Sequence, residues 1–269
     1  MSERIGDRIT ISIENGVADM RLSRAEKMNS LDRGMWGALI ETAERLDADL
    51  SVRVIVMSGE GRAFCAGLDM SEFEGMAGGD GGNPLSLLER SHGDANMMQH
   101  AILAWRRHRV PVVAAAHGVA VGGGLQLLAS ADVSYVHPET KMSVMEAKWG
   151  LIPDIGATNT APFRIREDIV RELTYTARMF SGAEAQGYGF ATHVSDAPLE
   201  DAMALAKEIA ARNPHAVQRA KKLINAMQEK TPSEMLLMES ELQSEIIGKP
   251  NQVEAIMAGL EKRPGVFKD

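Results

Sequence analysis

The stretch VAVGGGLQLL, Val119 to Leu128, places three consecutive glycines between a strand-like apolar run and a helix-like one. Glycine inside regular structure costs backbone entropy and packs nothing, so the triplet marks a joint where something comes too close for side chains. Polar Gln126 stands among the leucines just beyond it. A similar joint lies upstream. RVIVMSG, Arg53 to Gly59, is a short β-branched run ending in glycine, continued by SGEGRAFCAGLDM, Ser58 to Met70. Strand, glycine-containing turn and helix start thus occur twice, which requires a layered α/β chain.

The rest of the first half agrees. Ile9, Ile11 and Ile13 alternate with polar residues, Asn15-Gly16 supplies a two-residue turn, and Ala18, Met20 and Leu22 continue the alternation, so residues 9–22 form a hairpin. From Asp32, a plausible N-cap, Met35, Trp36, Leu39, Ile40, Ala43 and Leu46 follow helical spacing. RVPVVAAAH, Arg109 to His117, reads as a further buried strand. The order predicts right-handed ββα and βαβ crossovers. Beyond this the pattern turns helical over 165–178, 199–212, 214–228, 232–247 and 251–262, with Ala216, Val217, Ala220, Leu223, Ile224 and Met227 the clearest stripe, expected to pack in the core or against other helices. An α/β core over 1–199 is therefore expected to precede a helical region over 200–269. Between the joints, GMAGGDGGNP, Gly75 to Pro84, holds five glycines and reads as a mobile flap rather than a helix.

Several function classes are disfavoured. A net charge of −8 argues against general nucleic-acid binding. No run approaches the roughly eighteen apolar residues of a membrane span. The single cysteine, Cys65, leaves no internal disulfide, and with no signal-peptide pattern the expected compartment is the cytoplasm. After Gly59 and Gly61 the third glycine of a dinucleotide turn would fall at Phe64, and the chain has no phosphate-loop or nucleophile-elbow motif. His and Cys residues show no metal spacing, so no metal and no separate cofactor is expected. Cys65 lacks a predictable His partner and reads as small core filler, and His92 as a solvated loop residue.

The two joints carry the chemistry. A helix start exposes unpaired N–H groups that favour developing negative charge. Two converging starts would make an oxyanion hole for a thioester carbonyl, although the same joint is common in α/β folds.

RAEKMNSLD (Arg24 to Asp32), GRAFCAGLDM (Gly61 to Met70), HGVAVGGGLQLLASADV (His117 to Val133), MEAKWGLIPD (Met145 to Asp154) and the tail LEKRPGVFKD occur together and in order. On these motifs nearly the whole chain resembles the crotonase, or enoyl-CoA hydratase/isomerase, family. The resemblance implies a crotonase-like stacked ββα superhelix core with a C-terminal helical trimerisation region, and a trimer or dimer of trimers. It implies oxyanion donors at the backbone N–H groups of Leu68 and Gly123. Coenzyme A, as part of an acyl-CoA thioester substrate, would lie between Lys27–Met28 and Arg62–Ala66, with Arg24, Lys27 and Arg62 meeting phosphates and Lys262, Arg263 or Lys268 reaching from the tail.

Hydratases of that family hold one water between two glutamates, one as base and one as acid. The matching positions here are Gln126 and Glu146. Gln126 forms hydrogen bonds but cannot carry a proton near neutral pH. Asp154 stands where the family's dienoyl-CoA isomerases place an acid, and could equally be a helix N-cap. The expected catalytic set is Glu146, Asp154 and Gln126, with burial near Trp149 and Leu151 raising Glu146 and with Gln126 orienting the acyl chain. The reaction expected first is double-bond isomerisation of an enoyl-CoA. Its alternatives are 2-enoyl-CoA hydration with Glu146 as the single acid/base and Gln126 positioning water, and non-catalytic acyl-CoA binding.

Overall fold

The computed structural model describes residues 3–77, 87–156, 158 and 165–269. β1 (Glu3–Ile5), β2 (Ile9–Glu14) and β3 (Val17–Leu22) form an antiparallel meander, with Ile9 paired to Leu22 and Glu14 to Val17. Asn15 and Gly16 both take positive φ, 51° and 82°, the two-residue turn that matches strand twist. Asp32 caps α1 (Arg33–Ala48), accepting the Met35 N–H at 2.8 Å, and the face running from Met35 to Leu46 is buried as the spacing requires.

The chain continues through β4 (Val54–Gly59), α2 (Met70–Ala77), α3 (Met97–Arg107), β5 (Val112–Ala116), β6 (Val119–Val121), α4 (Gly123–Ser130), β7 (Val133–Val136) and β8 (Lys141–Ser143). There follow α5 (Glu167–Thr176), β9 (Phe180–Ser181), α6 (Gly182–Tyr188), β10 (His193–Val194), α7 (Pro198–Ala210), α8 (Pro214–Ala226), α9 (Pro232–Ile246) and α10 (Pro250–Glu261). The main sheet has the order β1-β2-β3-β4-β5-β7-β10 and is parallel from β3 onward. A second sheet, β6-β8-β9, lies apart from it.

The centre of the main sheet, β4 and β5, is buried on both faces, which accounts for the unbroken apolar run of β4. Ile55 and Met57 face the core that contains α1 and α3. Val54 and Val56 face Ala202, Ala206 and Ala210 of α7. The change to helical character near residue 200 therefore begins in the helix that covers the second face.

Two expectations need correction. α2 runs through Gly75 to Ala77, so the glycine-rich stretch starts inside a helix; its remainder, residues 78–84, lies outside the described residues. On α8 the expected apolar stripe is not buried within the chain. Ile224 and Met227 are each 57% exposed. The adjoining face carries the anchor, where Lys221 donates to Trp105 O at 3.2 Å, Val110 O at 2.9 Å and Asp132 Oδ2 at 2.8 Å. A buried ammonium with three acceptors has its charge and donors matched, and so holds α8 to the core.

Candidate active site

A cavity of about 540 Å³ opens between the two joints. Leu31 and Trp36 wall one side, Met70, Phe73 and Met76 another, and the segment Met145 to Leu151 a third. Leu68, Gly122 and Gly123 line it as well. Phe73 and Trp149 touch across it, ring centroids 4.7 Å apart.

The glycines answer to contacts that can be named. Gly122 has φ 52° and ψ −125°, a conformation that only glycine adopts readily. A Cβ on Gly124 would stand 2.3 Å from the Cys65 carbonyl oxygen, and one on Gly123 2.7 Å from Leu31 Cδ1. A Cβ on Gly67 would lie 2.6 Å from Val121 O and 3.5 Å from Gly123 N. The two joints therefore abut: at Gly67 and Gly124 backbone meets backbone, and at Gly123 a side chain is excluded by Leu31.

Leu68 and Gly123 both line this cavity, and neither backbone N–H donates a hydrogen bond among the described residues. Leu68 forms a one-residue parallel bridge with Leu31. Its bonds run from Leu31 N to Gly67 O at 2.7 Å and from Asp69 N to Leu31 O at 3.1 Å, and do not involve Leu68 N. Gly123 is the first residue of α4, where an N–H has no helical acceptor. Gly123 thus stands at a helix N-terminus, where developing negative charge is favoured.

The three expected catalytic side chains line the same cavity. Glu146 opens a short 3₁₀ turn (Glu146–Trp149) and is buried. Its Oε1 accepts from Gln126 Nε2 at 2.7 Å. Its Oε2 is buried without a hydrogen-bond partner among the described residues. Burial raises its pKa above the ordinary glutamate value and the charge of Asp154 adds to this, against the opposing bonds from its own backbone N–H and from Gln126. Asp154 is more exposed and caps no helix among the described residues. Crowding by its surroundings lifts its pKa too. Two carboxyl groups with raised proton affinity thus share one cavity. Gln126 and Glu146 also border a second cavity of about 420 Å³, whose walls include Leu125, Ala129, Val144 and Phe190. The bond from Gln126 to Glu146 was not legible in the sequence; the only signal was an amide placed where a family glutamate stands.

The segments expected to cradle coenzyme A are fastened together. Ala66 N donates to Met28 O at 2.9 Å, and Asn29 Nδ2 donates to Glu60 O at 3.0 Å and Ala63 O at 2.8 Å. Lys27 and Arg62 are exposed, Met28 is half-buried, and Ala66 borders the cavity. Arg24 turns inward instead. It is ion-paired with Asp69 at 2.5 Å and with Asp32 at 3.4 Å, and donates to Ser30 Oγ at 3.0 Å. The tail does not reach the cavity of its own chain. Arg53, just before β4, holds Asp269 at 2.7 Å and Phe267 O at 2.8 Å, at the end of β4 away from the joints, and Arg263 pairs with Glu254 and Glu261.

Cys65 is buried, its thiol donates to Asn29 O at 3.1 Å, and burial pushes it up to about 12. It is core filler, as its surroundings in sequence implied. His92 stacks on His100, centroids 4.4 Å apart, and does not line the cavity. Among the described residues no three His, Cys, Asp or Glu side chains cluster as metal ligands would, and no helix is long and apolar enough to cross a membrane.

A family model described as enoyl-CoA hydratase/isomerase matches residues 12–269. The chain belongs to that family. Methylglutaconyl-CoA hydratase of Homo sapiens, a mitochondrial protein, is 31% identical over 94% of this chain and 74% of its own length. The mitochondrial Delta(3,5)-Delta(2,4)-dienoyl-CoA isomerase of Mus musculus is 28% identical over 94% of this chain and 79% of its own. Among solved structures, an enoyl-CoA hydratase from Bacillus anthracis superposes with a TM-score of 0.85 at 27% identity, covering 97% of this chain and 99% of that one. The crotonase-like α/β fold is thereby established, and the chain is that of an enzyme.

Proposed function

We propose that this enoyl-CoA hydratase/isomerase family member moves a double bond in an enoyl-CoA through a thioester enolate. The observation that carries the reading is Glu146, buried, gripped at Oε1 by the Gln126 amide, with Oε2 unbonded in a cavity it shares with Asp154. The carboxylate takes a proton from C2 of a 3-enoyl thioester, the electrons pass to the thioester oxygen, and the N–H groups of Leu68 and Gly123 form the oxyanion hole that holds it. The proton returns at C4 from Glu146, or from Asp154 as its partner, which gives the 2-enoyl isomer. A raised proton affinity suits a group that must both take and return a proton near neutral pH. Gln126 fixes the Glu146 carboxyl and leaves one oxygen for the substrate.

Coenzyme A lies along Lys27–Met28 and Arg62–Ala66, where the exposed cations face solvent and the two segments are already locked together. The apolar faces left open on α9 and α10, with Leu236, Leu237 and Leu260 each at least 60% exposed, support assembly as a trimer or a dimer of trimers. The cytoplasm is the compartment proposed, on the lone buried thiol.

A second reading is hydration of a 2-enoyl-CoA with Glu146 as the single acid/base, favoured by the 31% identity to a hydratase. Parallel assays on 3-enoyl and 2-enoyl thioesters decide between them. Isomerisation that exceeds hydration and falls by far more than tenfold in Glu146→Gln supports the first reading. Rapid hydration by the unaltered protein overturns it, and thioester binding with no turnover leaves only an acyl-CoA-binding protein.

A further inference from the structure

The Leu31–Leu68 contact is a single-residue bridge, yet it fixes both peptide planes around Leu68. The peptide whose N–H belongs to Leu68 has its carbonyl, Gly67 O, bonded to Leu31 N at 2.7 Å, and the next peptide gives its N–H, Asp69 N, to Leu31 O at 3.1 Å. Because a peptide is planar and trans, holding the Gly67 carbonyl on one side sets the Leu68 N–H on the other. Two backbone bonds are a short splice. Around them stands a side-chain clamp. Asp69 accepts from Ser30 Oγ at 2.6 Å and from Arg24 Nη1 at 2.5 Å, and Arg24 Nη1 also reaches Ser30 Oγ at 3.0 Å and Ser30 O at 3.3 Å. On its other oxygen Asp69 accepts from Ser71 N at 3.0 Å and Ser71 Oγ at 2.8 Å, which ties the clamp to the start of α2. Both charged side chains are largely buried, at 13% and 9% exposed.

We propose that the Arg24–Asp69 ion pair is the positioning device for the Leu68 N–H, holding residues 30–31 against 67–69 in the register that aims this donor into the cavity. The inference rests on the oxyanion reading above and gives Arg24 a task other than meeting coenzyme A phosphates. Gly124 packs on Cys65, outside the residues the clamp joins, so loosening the clamp is expected to disturb the Leu68 donor more than the Gly123 donor.

The test uses butyryl-CoA labelled with ¹³C at the thioester carbonyl, an unreactive ligand whose stretching band moves to lower frequency when its oxygen is polarised. Isotope-edited infrared spectra, the dissociation constant, KM, kcat on a 3-enoyl-CoA and the melting temperature are measured for the unaltered chain, Asp69→Asn, Arg24→Gln and the double variant. In the single variants the bound carbonyl band is expected to return toward the free-ligand position, and kcat to fall about ten- to hundredfold. Butyryl-CoA affinity and KM stay within about threefold, and the double variant is no worse than the worse single one, as for two residues acting as a unit. The proposal is overturned if Arg24→Gln raises KM while the band and kcat stay in place, the pattern of a phosphate contact. It is equally overturned if the variants lose only melting temperature. A band that fails to shift in the unaltered protein refutes the oxyanion reading itself, and this inference with it, a result read before any substitution is made.

Discussion

Asp69 and Glu146 are two carboxylates buried to nearly the same degree, 7% and 9% exposed. They are driven in opposite directions. Desolvation pushes Asp69 upward, but the bonds from Ser30, Ser71 and Arg24 outweigh it and hold the group well below the ordinary carboxylate range. Desolvation also pushes Glu146 upward, and there its own backbone N–H and the amide of Gln126 do not offset it. Burial alone therefore does not separate a structural acid from a chemical one. The donors aimed at it do, and on the proposed reading the weaker set at Glu146 leaves it a proton worth holding.

The largest way to sharpen that contrast is Glu146→Gln. On the proposed reading, loss of the proton carrier is expected to cut isomerase kcat by about a thousandfold, within the usual range for a general acid/base, while the melting temperature holds or rises because a costly buried charge is removed. Thermal unfolding and steady-state rates on one preparation check both halves.

Asp69→Ala should do the reverse in stability. Removing one partner of a buried ion pair leaves Arg24 without its counter-charge and is expected to cost about 3 kcal/mol in denaturant unfolding. A cost below about 1 kcal/mol would place Asp69 with the weak surface pairs instead.

Gln126→Glu is expected to remove the difference from a two-glutamate site. With a second negative charge in bonding reach, Glu146 should titrate higher still, which moves the acid limb of the rate–pH profile up by about one unit, and hydration of 2-enoyl-CoA should rise from its low starting rate. An unmoved limb would mean that the amide does not govern Glu146.

The smallest effect is on stability as pH changes. Glu146 is raised in the folded chain above its ordinary value of 4.5, so between that value and the folded one the folded state holds the extra proton and stability falls as pH rises. Asp69 is depressed, so its contribution is present above its ordinary value of 3.8 and is lost as pH falls toward the lower folded value. Glu146→Gln should flatten the first slope, by at most about 1.4 kcal/mol per pH unit for one proton, and leave the acid-side loss in place. Urea midpoints from pH 3 to 8 resolve the two.

What could be read from the sequence divides along the same line between local and long-range causes. The Asn15-Gly16 turn, the Asp32 cap and the glycine joints are set by neighbours in the chain, so residue type and spacing disclose them. The inward turn of Arg24 toward Asp69 and the bond from Gln126 to Glu146 join residues 45 and 20 positions apart, and no local pattern announces either. α2 shows tertiary context overriding propensity: eight residues stay helical through Gly75 beside an apolar cavity, where composition argued for a break. The α8 stripe errs the other way, since periodicity tells which residues share a face but not whether the chain's own core covers it.

The lone thiol has a use that follows from where it sits. Cys65 is fully buried, its proton is held with a pKa of about 12, and it lies three residues before Leu68 in the segment that presses on Gly124. A thiol-specific reagent reaches its sulfur only when that segment lifts, so the modification rate is a clock for local opening in the native state. Run with and without a bound thioester, that clock measures how far ligand binding holds this part of the cavity wall closed.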